Sequence, residues 1–173
     1  MILRPWNDYD AIELFELAKD PEVGFWCGWE PHKHVRDSLF ALHNFLEVDE
    51  CYAICLKESK EIIGSIGLKH DKGLTMNKKE YELGYWVGKP YWNNGYVTEA
   101  ALELIKHAFE DLNTNILWCG YYEGNKRSKH VQEKLGFEYH HFCEDVEVPQ
   151  LNTTRKGYTN FLTKEKWELM NRG

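Results

Sequence analysis

The stretch Trp92-Asn93-Asn94-Gly95-Tyr96-Val97-Thr98 couples a turn to a helix. Asn-Gly is a strong turn signal, often of a hairpin. No second strand follows: Val97-Thr98-Glu99-Ala100-Ala101-Leu102-Glu103-Leu104 is helix-forming, so Gly95 marks a strand–loop–helix junction. The first N–H groups of a helix lack intrahelical partners, and the helix dipole adds partial positive charge there. A glycine at that point lets a ligand approach the backbone closely. The chemistry on offer is anion binding, most naturally of phosphate, by main-chain amides from Asn93 to Thr98. The same glycine also fits a junction where it only turns the chain. No Lys follows it and no GxGxxG is present, so neither of those nucleotide loops is spelled.

A second compact unit is Tyr121-Tyr122-Glu123-Gly124-Asn125 followed by a helical stretch ending at Gly136-Phe137. Asn125 fits a helix N-cap. Ser128, one turn in, fits an ordinary helix residue. Taken alone these residues select no chemistry.

The elements that must position these residues follow from composition and period. At 173 residues the chain suits one domain with a sizeable core. Hydrophobic residues at 43% and charged residues at 28% place it among soluble globular proteins. The net charge of −7 and the lack of a Lys/Arg run disfavour nucleic acid as a partner. That charge suits a cationic substrate and equally suits plain solubility. Five cysteines, an odd number without a CxxC pair, read as buried free thiols in a reducing compartment, and no metal is expected. No apolar run spans a membrane and no signal peptide is visible, so no membrane partner and a cytoplasmic location are expected.

Ile2-Leu3-Arg4 reads as a short strand. Asp8 or Asp10 can cap a helix to about Lys19, with Ile12, Leu14, Phe15, Leu17 and Ala18 as its apolar face, ended by Asp20-Pro21. Residues 24–31 read as irregular, and a second helix fits His34 to Glu47 with Val35, Leu39, Leu42, Phe45 and Leu46 at helical spacing. Residues 51–57 and 61–70 read as a hairpin and 80–88 as a long strand with Tyr81, Leu83, Tyr85 and Val87 on one face. Val97, Ala100, Ala101, Leu104, Ile105, Ala108 and Leu112 form one helical stripe. Residues 115–122 are a strand, 125–137 a helix stopped at Gly136, and 137–148 with 156–163 a final antiparallel pair. The expected fold is mixed α+β: a mostly antiparallel twisted sheet of six to seven strands flanked by about four helices.

The two segments together, "ELGYWVGKPYWNNGYVTEAALELIKHAF" and "GNKRSKHVQEKLGFEY", resemble the GNAT superfamily of acyl-CoA-dependent N-acetyltransferases. The nearest branch is the RimJ/RimL-like one, which the opening "LRPWNDYDAIELFELAKDPEV" also resembles. The resemblance covers nearly the whole chain, as a single domain over residues 1–173, and is most specific over 80–137. The family's phosphate loop, [Q/R]-x-x-G-x-[G/A], here reads Trp92-Asn93-Asn94-Gly95-Tyr96-Val97. Val97 departs from the motif in bulk, though only main-chain donors are required. The resemblance implies that this loop, with Thr98, holds the pyrophosphate of acetyl-CoA. It implies also that Tyr85-Trp86-Val87 bonds pantetheine like an added strand.

Acetyl transfer from a thioester to an amine needs a neutral amine, a donor for the oxyanion and a proton for the departing thiolate. At neutral pH an α-amine of pKa ~7.8 costs ~1 kcal/mol to deprotonate and a lysine of pKa ~10.4 costs ~4.6. Glu82, on the strand beside the implied thioester, is the candidate base, with Glu80 in reserve; a structural carboxylate fits Glu82 as well. Backbone N–H on Tyr85–Val87 would serve the oxyanion. Where many GNAT enzymes carry a Tyr seven residues after the motif Asn, this chain has Gln132. In RimL-like members a Ser three residues after the Asn lies near the sulfur, so Asn125 and Ser128 carry over as thiol-end residues. Lys126, Arg127 and Lys134 fit adenosine phosphates or plain exposed charges.

By the same resemblance the acceptor pocket draws on Trp26, Trp29, Glu30, Glu144, Asp145 and Glu147. The implied acceptor is a primary amine such as a protein N-terminus. A polyamine, aminoglycoside or other small amine is the alternative acceptor, and a non-catalytic acyl-CoA sensor the alternative role. A monomer or homodimer fits equally.

Overall fold

The computed structural model describes residues 1–70 and 80–172. The strands are β1 (Ile2–Pro5), β2 (Cys51–Cys55), β3 (Ile62–Lys69), β4 (Glu80–Val87), β5 (Ile116–Tyr122), β6 (Glu138–Val148) and β7 (Thr153–Thr163). The helices are α1 (Ala11–Ala18), α2 (Pro21–Cys27), α3 (Val35–Ala41), α4 (Tyr96–Glu110), α5 (Lys126–Lys134) and α6 (Lys164–Met170). The strands form one sheet in the order β1-β2-β3-β4-β5-β7-β6. β1–β2, β2–β3 and β5–β7 are antiparallel, and β4–β5 is parallel. The mixed, mostly antiparallel architecture is the expected one, with six helices among the described residues where about four were expected. No described helix is long and apolar enough to cross a membrane.

The described residues group into two compact units. The first holds Met1–Gly67, Tyr85–Ala100 and Val148–Thr153. Its core gathers Trp6, Ala11, Leu14, Ala18, Leu42 and Ala53. Asn7 caps a 3-10 turn at Asp8–Asp10, accepting from the Tyr9 N–H while Asp10 accepts from the Asn7 N–H. Arg4 grips buried Asp10 through its two terminal guanidinium nitrogens at 2.7 and 2.8 Å. α1 therefore begins at Ala11 and buries Ala11, Leu14 and Ala18. Ile12 stands roughly 120° from the middle of that stripe and is 66% exposed, against expectation.

Asp20-Pro21 follows the end of α1, as expected, and also starts a new helix. The Asp20 carboxylate accepts from the Glu22 N–H at 2.8 Å, and Pro21 supplies the first-turn φ with no N–H to leave unpaired. Residues 21–27, expected in part to be irregular, are thus α2, closed by Gly28 at φ 85°. Gly24 inside it is needed for packing, because a Cβ there would meet the Trp29 carbonyl oxygen at 2.6 Å. The expected single helix over 34–47 divides. α3 runs to Ala41 and passes into a wider π turn at Leu42–Leu46, closed by the Glu47 N–H on the Leu42 carbonyl at 2.8 Å. The extra residue per turn swings Phe45 to 39% exposure while Leu42 stays buried.

The second unit holds Leu68–Gly84, Ala101–Glu147 and Thr154–Gly173, described here through 172. Ala101, Leu104, Ile105 and Ala108 of α4 are buried, as their spacing predicts, and Phe109, which the predicted stripe left out, is buried with them. Phe109 meets Trp167 of α6 at 5.3 Å between ring centroids. α6 itself was not expected; Thr163 caps it by accepting from the Lys166 N–H. α5 is followed by Gly136 at φ 85°, the predicted stop. Cys51, Cys55 and Cys119 are buried and Cys27 and Cys143 half-buried, all outside any disulfide among the described residues.

Candidate functional site

In the first unit the residues around the start of α4 form one continuous device. Gly88 carries a short 3-10 turn at Lys89–Tyr91. Trp92 is pinned by its indole N–H on the Val87 carbonyl at 2.9 Å, and the Asn94 amide donates to the Trp92 carbonyl at 2.9 Å. Asn93 and Gly95 take left-handed φ of 63° and 80°. The first helical bond is Glu99 N–H to the Gly95 carbonyl at 3.0 Å, so the amides of Tyr96, Val97 and Thr98 precede any intrahelical acceptor. Nothing lies within 4 Å of where a Gly95 Cβ would stand, and residues 93–95 are exposed. An anion can come straight onto these amides, at the positive end of a helix of 15 residues. The junction is thus a candidate anion site.

The strand segment leading in, Tyr85-Trp86-Val87, is held from behind. A Cβ on Gly64 would meet the Trp86 carbonyl oxygen at 2.1 Å and the Val87 Cα at 2.7 Å, so only glycine allows this approach. Trp86 packs edge-on against Trp29 at 5.3 Å, and the Trp29 indole nitrogen is buried with no hydrogen-bond partner. Tyr91 donates to Glu61 at 2.6 Å, and burial together with that carboxylate pushes its phenol up to about 12. Of the other acceptor-pocket candidates here, Trp26 is half-buried edge-on to Phe25 and Glu30 is exposed.

In the second unit Glu82 lies on β4 beside β5, and Ser128 lies on α5 in a polar cluster with β5 and β7. Glu82 is half-buried and in register with Trp118 across the parallel β4–β5 pair. Its Oε1 lies 3.9 Å from the position a Cβ on Gly120 would occupy. Glu80 accepts the Trp118 indole N–H at 2.8 Å. The Gly120 carbonyl accepts from Gln132 Nε2 at 3.1 Å, and the same nitrogen reaches Ser128 Oγ at 3.2 Å. Gln132 Oε1 accepts from Asn160 Nδ2 at 2.8 Å. Asn125 caps α5, accepting from the Ser128 N–H at 3.2 Å, which gives it the capping role open to it in the sequence. Next along β5, Tyr121 stacks on Tyr158 at 5.1 Å, and burial, then Tyr158, raises its phenol above the ordinary value.

The bonding of Gln132 escapes the sequence reading, where it figures only as a missing tyrosine. A signal existed. Ser128, Gln132 and Leu135 share helical spacing, so a glutamine on that stripe had to find partners inside. Glu144 is exposed and 3.6 Å from Lys156, and Asp145 and Glu147 are exposed as well. Lys126 and Lys134 are exposed and Arg127 is half-buried.

Residues 1–138 match the family model described as an acetyltransferase (GNAT) domain. The chain is 24% identical over 143 residues to the uncharacterized N-acetyltransferase YoaA of Bacillus subtilis, covering 80% of this chain and 79% of that one. Over a shorter stretch of 64 residues it is 39% identical to YdaF of the same organism, provisionally named a ribosomal N-acetyltransferase, covering 37% of this chain and 35% of that one. Among solved structures it is similar to spermidine N-acetyltransferase from Vibrio cholerae in complex with CoA and spermine. That likeness has a TM-score of 0.76 at 16% identity and covers 96% of this chain and 97% of that one.

Proposed function

The chain belongs to the GNAT acetyltransferase family, and on that premise we propose that it is an acetyl-CoA-dependent N-acetyltransferase of primary amines. The observation that carries this reading is the open loop at Gly95 with its amides at the start of α4. The whole chain is read as one domain of this family, in its RimJ/RimL-like branch.

Acetyl-CoA supplies an acyl group activated as a thioester: the amine nitrogen bonds to the acyl carbon, the carbon–sulfur bond breaks with its electron pair on sulfur, and the proton the amine gives up ends on that sulfur. The amides of Asn93 to Thr98 hold the pyrophosphate, and Gly95 leaves the room for it. The main chain of Tyr85 to Val87 bonds the pantetheine arm and offers N–H to the developing oxyanion. Glu82 takes the amine's proton, directly or through water. Ser128 donates a hydrogen bond to the sulfur, with Asn125 holding its turn of helix. Trp26, Trp29, Glu30 and Glu144 are assigned to the acceptor. A protein α-amine is the favoured acceptor, because at neutral pH it costs several kcal/mol less to deprotonate than a lysine. Spermidine-type amines are the second reading, supported by the similar fold named above.

The test is release of free thiol from acetyl-CoA with an amine panel: peptides with free N-termini, a lysine amide, spermidine and an aminoglycoside. Turnover with one of these supports the reading. Stabilisation by CoA without turnover on any of them points to a sensor.

A further inference from the structure

Gln132 is fully buried, and the polarity of each of its hydrogen bonds can be deduced. The Gly120 carbonyl can only accept, so the side-chain nitrogen of Gln132 must face it, and they are 3.1 Å apart. The side-chain oxygen then faces Asn160, whose amide donates at 2.8 Å. This leaves the second N–H of Gln132 directed at Ser128 Oγ, 3.2 Å away. Ser128 Oγ must accept that bond, and its own proton is turned away from Gln132. A hydroxyl that accepts one hydrogen bond becomes a stronger donor of its own, the more so at low dielectric.

We infer that Gln132 is a positioning residue for acyl transfer: with Gly120 and Asn160 it holds Ser128 as a hydrogen-bond donor. The inference rests on the acetyltransferase reading and deepens it. It gives the glutamine at the family's tyrosine position a task of its own. A tyrosine there would act on the sulfur itself, whereas Gln132 acts one residue removed, through the serine. The frame is stiff, since Gly120 is fixed in the β5–β7 ladder opposite Thr159 and Asn160 opposite Cys119.

The experiment is a double-mutant cycle on Gln132 and Ser128, using acetyl-CoA and an amine from the panel above that the wild type turns over. Gln132→Met removes both donors at similar volume. It is expected to lower kcat by about tenfold or more with the acetyl-CoA KM little changed. In a Ser128→Ala background the same change should alter kcat by less than about twofold, because the group it positions is gone. Loss by the same factor in both backgrounds, or no loss in either, overturns the inference. Gln132→Glu covers the case in which the methionine variant does not fold. It keeps the Asn160 bond, and burial holds its carboxyl neutral with its one proton on the Gly120 carbonyl, so no donor is left for Ser128, which turns its own proton inward. It too should cost rate only where Ser128 is present. A wild type that turns over no amine of the panel overturns the parent reading together with this one. An active wild type with independent mutants overturns this one alone.

Discussion

Trp118 donates its indole N–H to Glu80 at 2.8 Å, while the neighbouring carboxylate on the same strand face, Glu82, lies over Gly120. Two acids two residues apart on one strand thus meet β5 at different residues, Glu80 at the Trp118 indole and Glu82 beside Gly120.

Glu82→Gln should keep the fold and CoA affinity and cut the rate near neutral pH. Part of the loss should return at higher pH, where more amine is already neutral. Rescue should come at lower pH for a peptide α-amine than for a lysine amide, their unperturbed pKa values differing by about 2.5 units. Glu80→Gln should leave the pH profile in place and lower thermal stability modestly, through a weakened bond to Trp118. A pH–rate series on both variants checks this. Equal profiles for Glu82→Gln and the parent would transfer the role of base to Glu80 or to the solvent.

Gly95→Glu should abolish the rise in melting temperature that CoA gives the parent protein. The new carboxylate would stand at the proposed pyrophosphate position, at a φ of 80°. Gly95→Ala is the control, because it carries the same left-handed strain, about 1–2 kcal/mol, without the charge. Both variants should melt earlier without ligand, and the alanine variant should keep more of the CoA response. Retention of the full response by the glutamate variant would remove the loop from the site.

Two histidines of the first unit should pull stability in opposite directions with pH. Burial lowers the pKa of His32 below its ordinary 6.5, and its Nδ1 lies 2.8 Å from buried Ser38 Oγ. The unfolded chain then binds more protons, so His32 costs stability as pH falls through the ordinary value. The hydrogen bond to Asp8, then the charges of Asp8 and Glu47, raises His43. Its contribution is complete below 6.5 and is lost as pH rises through the folded value. Melting curves between about pH 5 and pH 8 should therefore show less acid loss in His32→Gln and less alkaline loss in His43→Gln. Parallel curves for either variant and the parent would show that its histidine is not linked to folding.

What could be read in advance was local. The stripe of α4 and the stop at Gly136 follow from spacing within a few residues, and the loop at Gly95 from a single dipeptide. α2 was missed because Asp-Pro ends one helix here and starts the next, and only the Asp20 bond to the Glu22 N–H reveals the second role. The division of the helix after Ala41 was invisible because Leu42 and Leu46 fit α spacing too. The Gln132 network joins residues from β5, α5 and β7, and only folding brings Gly120, Ser128 and Asn160 within reach of one amide. Glycines 24 and 64 read as ordinary residues until the backbone they face is known.

The exposed Asn94-Gly95 pair also gives the protein a chemical age. A glycine offers no Cβ to shield its own nitrogen, so that nitrogen can attack the preceding asparagine side chain, release ammonia and form a cyclic imide. Hydrolysis of the imide leaves aspartate or isoaspartate. Either product adds a negative charge beside the amides proposed to receive phosphate, and isoaspartate also lengthens the backbone at the turn. The same bareness that opens the loop to its ligand makes it the place where a long-stored molecule would first turn away anions.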